Sequence, residues 1–229
     1  MSEILVKDKD IVIPGQLLAT GMDYLPASGT LRDSDKIVSS IIGIASLNGR
    51  LIKIIPLTGP YVPRRDDVVI GKVVDIGFSG WRVDIGWAYQ ANLSIRDATQ
   101  EFVEKGSDLT QYYNYGDYIM TRITNVAGSK IIDLGMRGPG LRKLTEGRLI
   151  KIIPSKVPRV IGKQGSMITM IKENTNSRIL VGQNGFVWIS GVNPEDETRA
   201  IEAIKMIDQE SQTDGLTESI EKFLKGEKK

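Results

Sequence analysis

Val160-Ile161-Gly162-Lys163-Gln164-Gly165-Ser166-Met167-Ile168-Thr169-Met170-Ile171 is the stretch on which the reading of this 229-residue chain turns. Gly162 and Gly165 bracket Lys163 and Gln164. Without a Cβ at either end, the backbone can turn tightly and lie against a phosphate. Pro158 to Ile161 before the loop predicts at most a short helical turn. Met167, Ile168, Met170 and Ile171 after it form a helical stripe over Ser166 to Asn174, whose first amides point at the same anion. Lys163 adds charge at the loop tip. A G-x-x-G alone is a weak signal, so the flanking elements carry the reading.

Arg148 to Ile153 reads as a strand stopped by Pro154. Arg178 to Val181 and Phe186 to Ser190 read as strands across the turn Gly182-Gln183-Asn184-Gly185. Pro194 to Glu210 reads as a helix: Pro194 sits where a missing N–H costs little, and Glu195, Asp196 and Glu197 suit the positive end. Ile201, Ile204 and Ile207 line one side of it. Residues 141–211 thus have the order β-α-α-β-β-α. Residues 212–229 read as a polar tail with a short amphipathic helix around Ile220, Phe223 and Leu224.

The same region concentrates positive charge. The chain carries a net +2, yet residues 141–191 hold nine basic and two acidic residues, net +7. A local basic block in a balanced chain is the footprint of a polyanion, although solvated surface lysines give the same count. The chain has neither Cys nor His. Disulfides, thiolate zinc sites, Ser–His–Asp arrangements and imidazole bases are therefore excluded. No cofactor and no metal site are expected. No apolar run approaches the ~18 residues of a membrane span, and MSEILVKDKD lacks a secretory apolar core. A soluble, cytoplasmic protein with no membrane partner is expected.

Towards the N-terminus the pattern becomes all-β. Residues 1–62 alternate short β-branched runs with turns: Ile11 to Ile13 closed by Pro14-Gly15, one or two strands over Ile37 to Ile44, and Leu51 to Ile55 after the hairpin signal Asn48-Gly49. Gly59 to Arg65 is a turn and linker. In residues 63–140, Val68 to Ile76 is a long strand in which Gly71 permits a bend or bulge. Trp81 to Ile85 alternates with period two, Ala91 to Ile95 is a shorter strand, and Asp117 to Asn125 and Lys130 to Leu134 flank Ala127-Gly128-Ser129. The polar stretch 97–115 is a long connection with room for a short helix. Five short strands with one long connection predict a small closed barrel of the oligonucleotide-binding (OB) type. The fold class expected is multidomain and mainly β with an α+β C-terminal unit.

The G-x-x-G stretch in its β-α-α-β-β-α frame resembles the KH RNA-binding module, whose loop clamps the backbone of about four single-stranded nucleotides. Residues 63–140 resemble the S-one type of OB domain through Gly71, Val73, Ile76, Gly80, Val83, Asp84, Ile85, Leu93, Gly116, Asp117, Ile119, Arg122 and Ile123. The chain departs from that family at Arg82, where a second stacking aromatic is usual, and at Ser94, where a His is usual. Phe78 and Trp81 are candidate stacking surfaces or barrel packing. Arg82 can stack through its guanidinium, and Arg122 and Lys130 offer a basic lining. From the KH side the candidates are Gly162, Lys163, Gln164 and Gly165, with Lys156, Arg159 and Lys172.

Over residues 5–210 the chain resembles one family, the RNA-binding cap subunit of the archaeal exosome of the S-one/KH type. Pro14-Gly15, Tyr61-Val62-Pro63 before Asp67 to Gly71, and the G-x-N-G run Gly182 to Gly185 carry the likeness. The resemblance implies a non-catalytic subunit that docks through residues 1–62 on a hexameric phosphorolytic ring, with three copies around the entry pore. Its partner is single-stranded RNA, guided to 3′-to-5′ degradation. It also implies that G-x-N-G serves domain packing, although the residues read equally well as a tight hairpin turn. A transcription or translation factor with tandem OB and KH modules is the alternative. A metal-dependent nuclease would need pairs such as Asp66 and Asp67, or Asp75 and Asp84. Neighbouring carboxylates on a strand point to opposite faces, so Asp66-Asp67 makes a poor pair.

Overall fold

The structure is a computed structural model that describes residues 2–99, 101, 103–104, 106–210 and 215–225. It divides into two units, Met1–Gly59 and Pro60–Lys229, parting inside the expected linker.

The first unit contains β1 (Glu3–Ile4), β2 (Ile11–Val12), β3 (Leu17–Thr20), β4 (Leu25–Pro26), β5 (Thr30–Asp33), β6 (Lys36–Ser39), β7 (Gly43–Asn48) and β8 (Leu51–Pro56). They form two four-stranded sheets, β1-β3-β6-β5 and β2-β7-β8-β4. Val12, Leu18, Ile37, Ala45, Ile52 and Ile54 pack the core, on strands where buried and more exposed positions mostly alternate. The β7–β8 loop is Gly49-Arg50, because Asn48 pairs with Leu51. Gly49, at φ 58, takes the first central position, which a type II′ loop reserves for glycine.

The second unit starts with a barrel of β9 (Val68–Gly77), β10 (Gly80–Asp84), β11 (Ala91–Ser94), β12 (Tyr118–Val126) and β13 (Ile132–Gly135). The strands run in the order β13-β11-β10-β9-β12, and pairing of β12 with β13 closes the ring. The long connection carries a short helix, α1 (Ile95–Ala98), and a 3-10 turn at Leu109–Gln111. At Gly71 a Cβ would lie 2.4 Å from Val83 Cγ1, so glycine is needed for close approach inside the barrel, while the register shift between β9 and β10 falls at Arg82/Val83. A strand the sequence reading lacks, β14 (Arg142–Leu144), adds to β12 at Tyr118–Met120.

The α+β part contains β15 (Arg148–Lys151), α2 (Val157–Ile161), α3 (Ser166–Thr175), β16 (Ser177–Val181), β17 (Phe186–Gly191), α4 (Pro194–Glu210) and α5 (Leu216–Lys225). The antiparallel sheet runs β15-β17-β16, with β16 at an edge. Val160, Met167, Ile171, Val187, Ile189, Ile204 and Ile207 share one core. The expected tail corrects here. Leu216, Ile220 and Leu224 of α5 are buried in that same core, so the helix is part of the domain, while 211–214 and 226–229 lie outside the described residues.

Barrel and KH sheet meet along a seam in which Ile70, Leu144 and Trp188 are buried, flanked by Tyr118, Met120 and Phe186. The G-x-N-G turn closes it. β10 stops pairing with β9 at Asp84, opposite Lys72, which leaves the N–H and C=O of Ile70 facing an empty ladder position. Asn184 fills that position. Its Oδ1 accepts from Ile70 N at 3.2 Å, and its Nδ2 donates to Ile70 O at 2.7 Å and Ile85 O at 2.8 Å. Gln183 N donates to Val68 O at 2.8 Å. A side-chain amide thus stands in for the next strand, meeting the rule that buried backbone polar groups find partners.

Candidate nucleic-acid interface

Gly162 ends α2 at φ 77 and ψ 174, and its N–H donates to Pro158 O at 2.9 Å. The chain then turns through Gln164 (φ 54, ψ 27) and Gly165 (φ 82, ψ 8) into α3. A Cβ on Gly162 would fall 2.6 Å from Met167 N, so the first glycine lets loop and helix cross in contact. A Cβ on Gly165 would meet only Ile168 Cγ2 at 4.0 Å, so space is open on that side. Lys163, Gln164 and Ser166 are exposed, and Val160 and Met167 anchor both ends of the loop in the core. Gly165 at the N-cap brings no side chain to the first α3 amides. An open corner with a cation at its tip and a helix N-terminus behind it can hold a phosphate.

The other KH candidates separate. Arg159 is exposed on α2, and Lys172 is half-buried on α3, six residues or about 9 Å of helix rise beyond Ser166. Lys156 corrects: its Nζ donates to the carbonyl of Asp208 and lies 3.8 Å from the Asp208 carboxylate. It ties the start of α2 to α4, a structural task that takes it out of the loop.

On the barrel, Phe78 stands fully exposed in the β9–β10 turn. Trp81 corrects as a stacking surface, being only 2% exposed. Its Nε1 donates to Tyr113 O at 2.9 Å, and its ring meets Tyr113 edge-on at 5.2 Å. Burial raises the Tyr113 pKa above that of a free phenol, which keeps the ring neutral beside the indole. Arg82 is exposed between two depressions. One, of about 410 Å³, carries Asp75, Asp97 and Asp133. The other, of about 400 Å³, carries Lys130 with Tyr89, Gln90, Asn92 and Ile131. Polyanion attraction favours the second. Arg122 lines neither: it lies on β12 between Val68 and Gly135, and its Nε is buried without a hydrogen-bond partner among the described residues.

Tyr89, 55% exposed and edge-on to Trp87 at 5.3 Å, is a stacking candidate that the sequence reading passed over. Aromatic residues directly after Gly86 in a turn were the available signal. Ser94 caps α1, accepting from Asp97 N at 3.2 Å and donating to the Asp97 carboxylate at 2.6 Å. Of the carboxylates weighed for a nuclease, Asp67 is held by Tyr61 Oη at 2.6 Å. Among the described residues no group of three or more acidic side chains is placed to hold a metal. No helix among them is long and apolar enough to cross a membrane.

An OB barrel joined to a KH module through the module's own hairpin defines a class of nucleic-acid-binding proteins. The KH domain family matches residues 148–206, and the family described as the exosome RNA binding protein RRP4 N-terminal domain matches residues 9–58. Exosome complex component Rrp4 of Thermococcus kodakarensis is 46% identical over 227 residues, covering 98% of this chain and 88% of that one. Its counterpart in Methanothermus fervidus is 44% identical over 222 residues, covering 96% and 97%. A crystal structure described as that of an exosome complex RNA-binding protein aligns with a TM-score of 0.68 at 36% identity, covering 74% of this chain and 97% of that one. The chain belongs to the Rrp4 family of exosome components.

Proposed function

We propose that this chain is a non-catalytic, cytoplasmic subunit of an exosome 3′-to-5′ exoribonuclease complex that holds single-stranded RNA and guides it to the ring. The single observation that carries the reading is the open face of Gly165 beside exposed Lys163 and Gln164. One strand of RNA lays its backbone on this corner, with Arg159 and Lys172 supplying further charge. Phe78, Arg82, Lys130 and Tyr89 offer the barrel's contacts. Binding of this kind is backbone-dominated, salt-sensitive and weakly sequence-specific.

Docking on the phosphorolytic ring, with three copies per complex, is assigned to the N-terminal unit. In support, Leu5, Ile11, Ile13, Met22, Leu25, Leu31 and Ile55 are all exposed there, more apolar side chain than a solvated surface of that size needs.

The test is Lys163→Asp/Gln164→Asp, which reverses the charge of the loop without touching either glycine. Fluorescence anisotropy on a labelled single-stranded 20-mer is expected to show at least a roughly tenfold loss of affinity, with thermal unfolding unchanged. Wild-type affinity in that variant overturns the reading. Native mass measurement of the co-purified assembly separates a nuclease ring from RNA polymerase or ribosomes, the partners expected of a transcription or translation factor.

A further inference from the structure

The basic block of residues 141–191 is larger than the G-x-x-G site requires. Its nine cations sort by partner. Lys143 pairs with Asp117, Arg148 with Glu197 at 3.1 Å, and Lys156 with Asp208. Lys151 lies over the Phe186 ring at 5.4 Å. Arg159, Lys163 and Lys172 sit on α2, the loop and α3. Arg142 and Arg178 are left, both exposed, and neither has an ion-pair partner among the described residues.

These two arginines come from different domains and line the same pocket. Arg142 is on β14, the strand appended to the barrel, and Arg178 is on β16 of the KH sheet. Both line one pocket of about 220 Å³, together with Lys143, Glu146, Trp188 and Ser190. Alternation along the strands fixes which face this is. Ile179 and Val187 point into the helical core, so Arg178, opposite Ser190, points to the barrel side with Trp188. The walls are preorganised: β14 is bonded to β12, and Trp188, only 7% exposed, is packed with Ile70 and Leu144. Lys143 is already paired, and Glu146 is the one acidic residue among the described residues that line the pocket.

We propose that Arg142 and Arg178 form a second binding site for RNA-backbone phosphate, on the face of the KH sheet opposite the helices. Two arginines lining one small polar pocket offer guanidinium forks suited to the oxygens of a phosphodiester. Arg178 lies on the edge strand β16, so an RNA that leaves the loop can pass around that edge without crossing the sheet. The inference rests on the RNA-binding reading above and extends it from one contact zone to two. A fragment that fills only the loop, about four nucleotides, leaves this pocket empty.

The test uses the full chain and Arg142→Gln/Arg178→Gln, with the Lys163→Asp/Gln164→Asp variant in parallel. For a single-stranded 20-mer we expect affinity to fall about tenfold at low salt. The slope of log affinity against log salt should lessen by about 1.4, the share of two single-strand phosphates. Affinity for a tetranucleotide should not change. Arg142→Lys/Arg178→Lys, which keeps charge and loses the forks, should lie between, and equal melting of all variants verifies folding. An unchanged 20-mer slope overturns the proposal. If the loop variant still weakens binding, the RNA reading survives that failure. If the arginine variant weakens 20-mer binding and the loop variant does not, the second site stands and the loop reading falls. Equal loss for tetranucleotide and 20-mer would merge the pocket with the loop site and overturn the proposal. So would free inorganic phosphate at sub-millimolar concentration abolishing the 20-mer's advantage, because the pocket would then belong to a small anion.

Discussion

A Cβ on Gly162 would press on the Met167 amide nitrogen at 2.6 Å, whereas one on Gly165 would reach nothing closer than Ile168 Cγ2 at 4.0 Å. The two glycines of one motif therefore do different jobs, closing the turn and leaving room for a ligand. Gly162→Ala should cost about 3 kcal/mol, combining backbone strain with a clash that α3 cannot relieve. Gly165→Ala should cost about 1 kcal/mol, the penalty of a left-handed residue with free space around it. Denaturant unfolding of the two variants checks this, and equal losses would contradict it. Trp81 was legible only in part: it alternates with Val83 on β10 and both are buried, which fits packing, yet the same pattern left stacking open until burial decided it. Lys156 was not legible, since Asp208 lies 52 residues away and no local pattern announces the pairing.

At the scale of elements, periodicity carried the reading far. The long strand β9, the alternating β10, α3 and α4 stand where the sequence patterns put them, and α2, five residues long, is the short helical piece expected before the loop. Short strands without alternation were lost. Those at Glu3–Ile4, Leu25–Pro26 and Arg142–Leu144 are two or three residues long and exist because a neighbour pairs with them. The amphipathic piece of the tail was visible, yet its seat was not: Leu216, Ile220 and Leu224 complete the KH core, and the C-terminal carbonyl of Leu224 accepts from Arg199. Truncation after Glu210 should therefore cost about 4 kcal/mol, from three buried aliphatic side chains less the entropy regained by the tail. A melting temperature unchanged by that truncation would show α5 to be dispensable.

For the molecule as a whole, Asn184 governs how barrel and KH domain are joined. It is only 2% exposed, and its amide completes the ladder that β10 abandons. Asn184→Ala strands the N–H and C=O of Ile70 in a buried seam and should cost about 3 kcal/mol. Asn184→Asp should be worse, because it sets a carboxylate against the carbonyls of Ile70 and Ile85. Limited proteolysis between residues 135 and 150 reads the loosening directly, and wild-type protection would refute it. By itself the amino-acid sequence determined the local conformations: a glycine-bracketed loop, the helices on either side, an alternating barrel, and a basic region of net +7. These follow from steric and apolar preferences that act over a few neighbouring residues. Only the tertiary structure decided which cations are spent on internal partners, which aromatic ring faces solvent, and that Arg142 and Arg178 share a pocket. Those outcomes depend on groups far apart in the chain, and a charge is free for a ligand only where the fold brings no carboxylate close enough to pair with it.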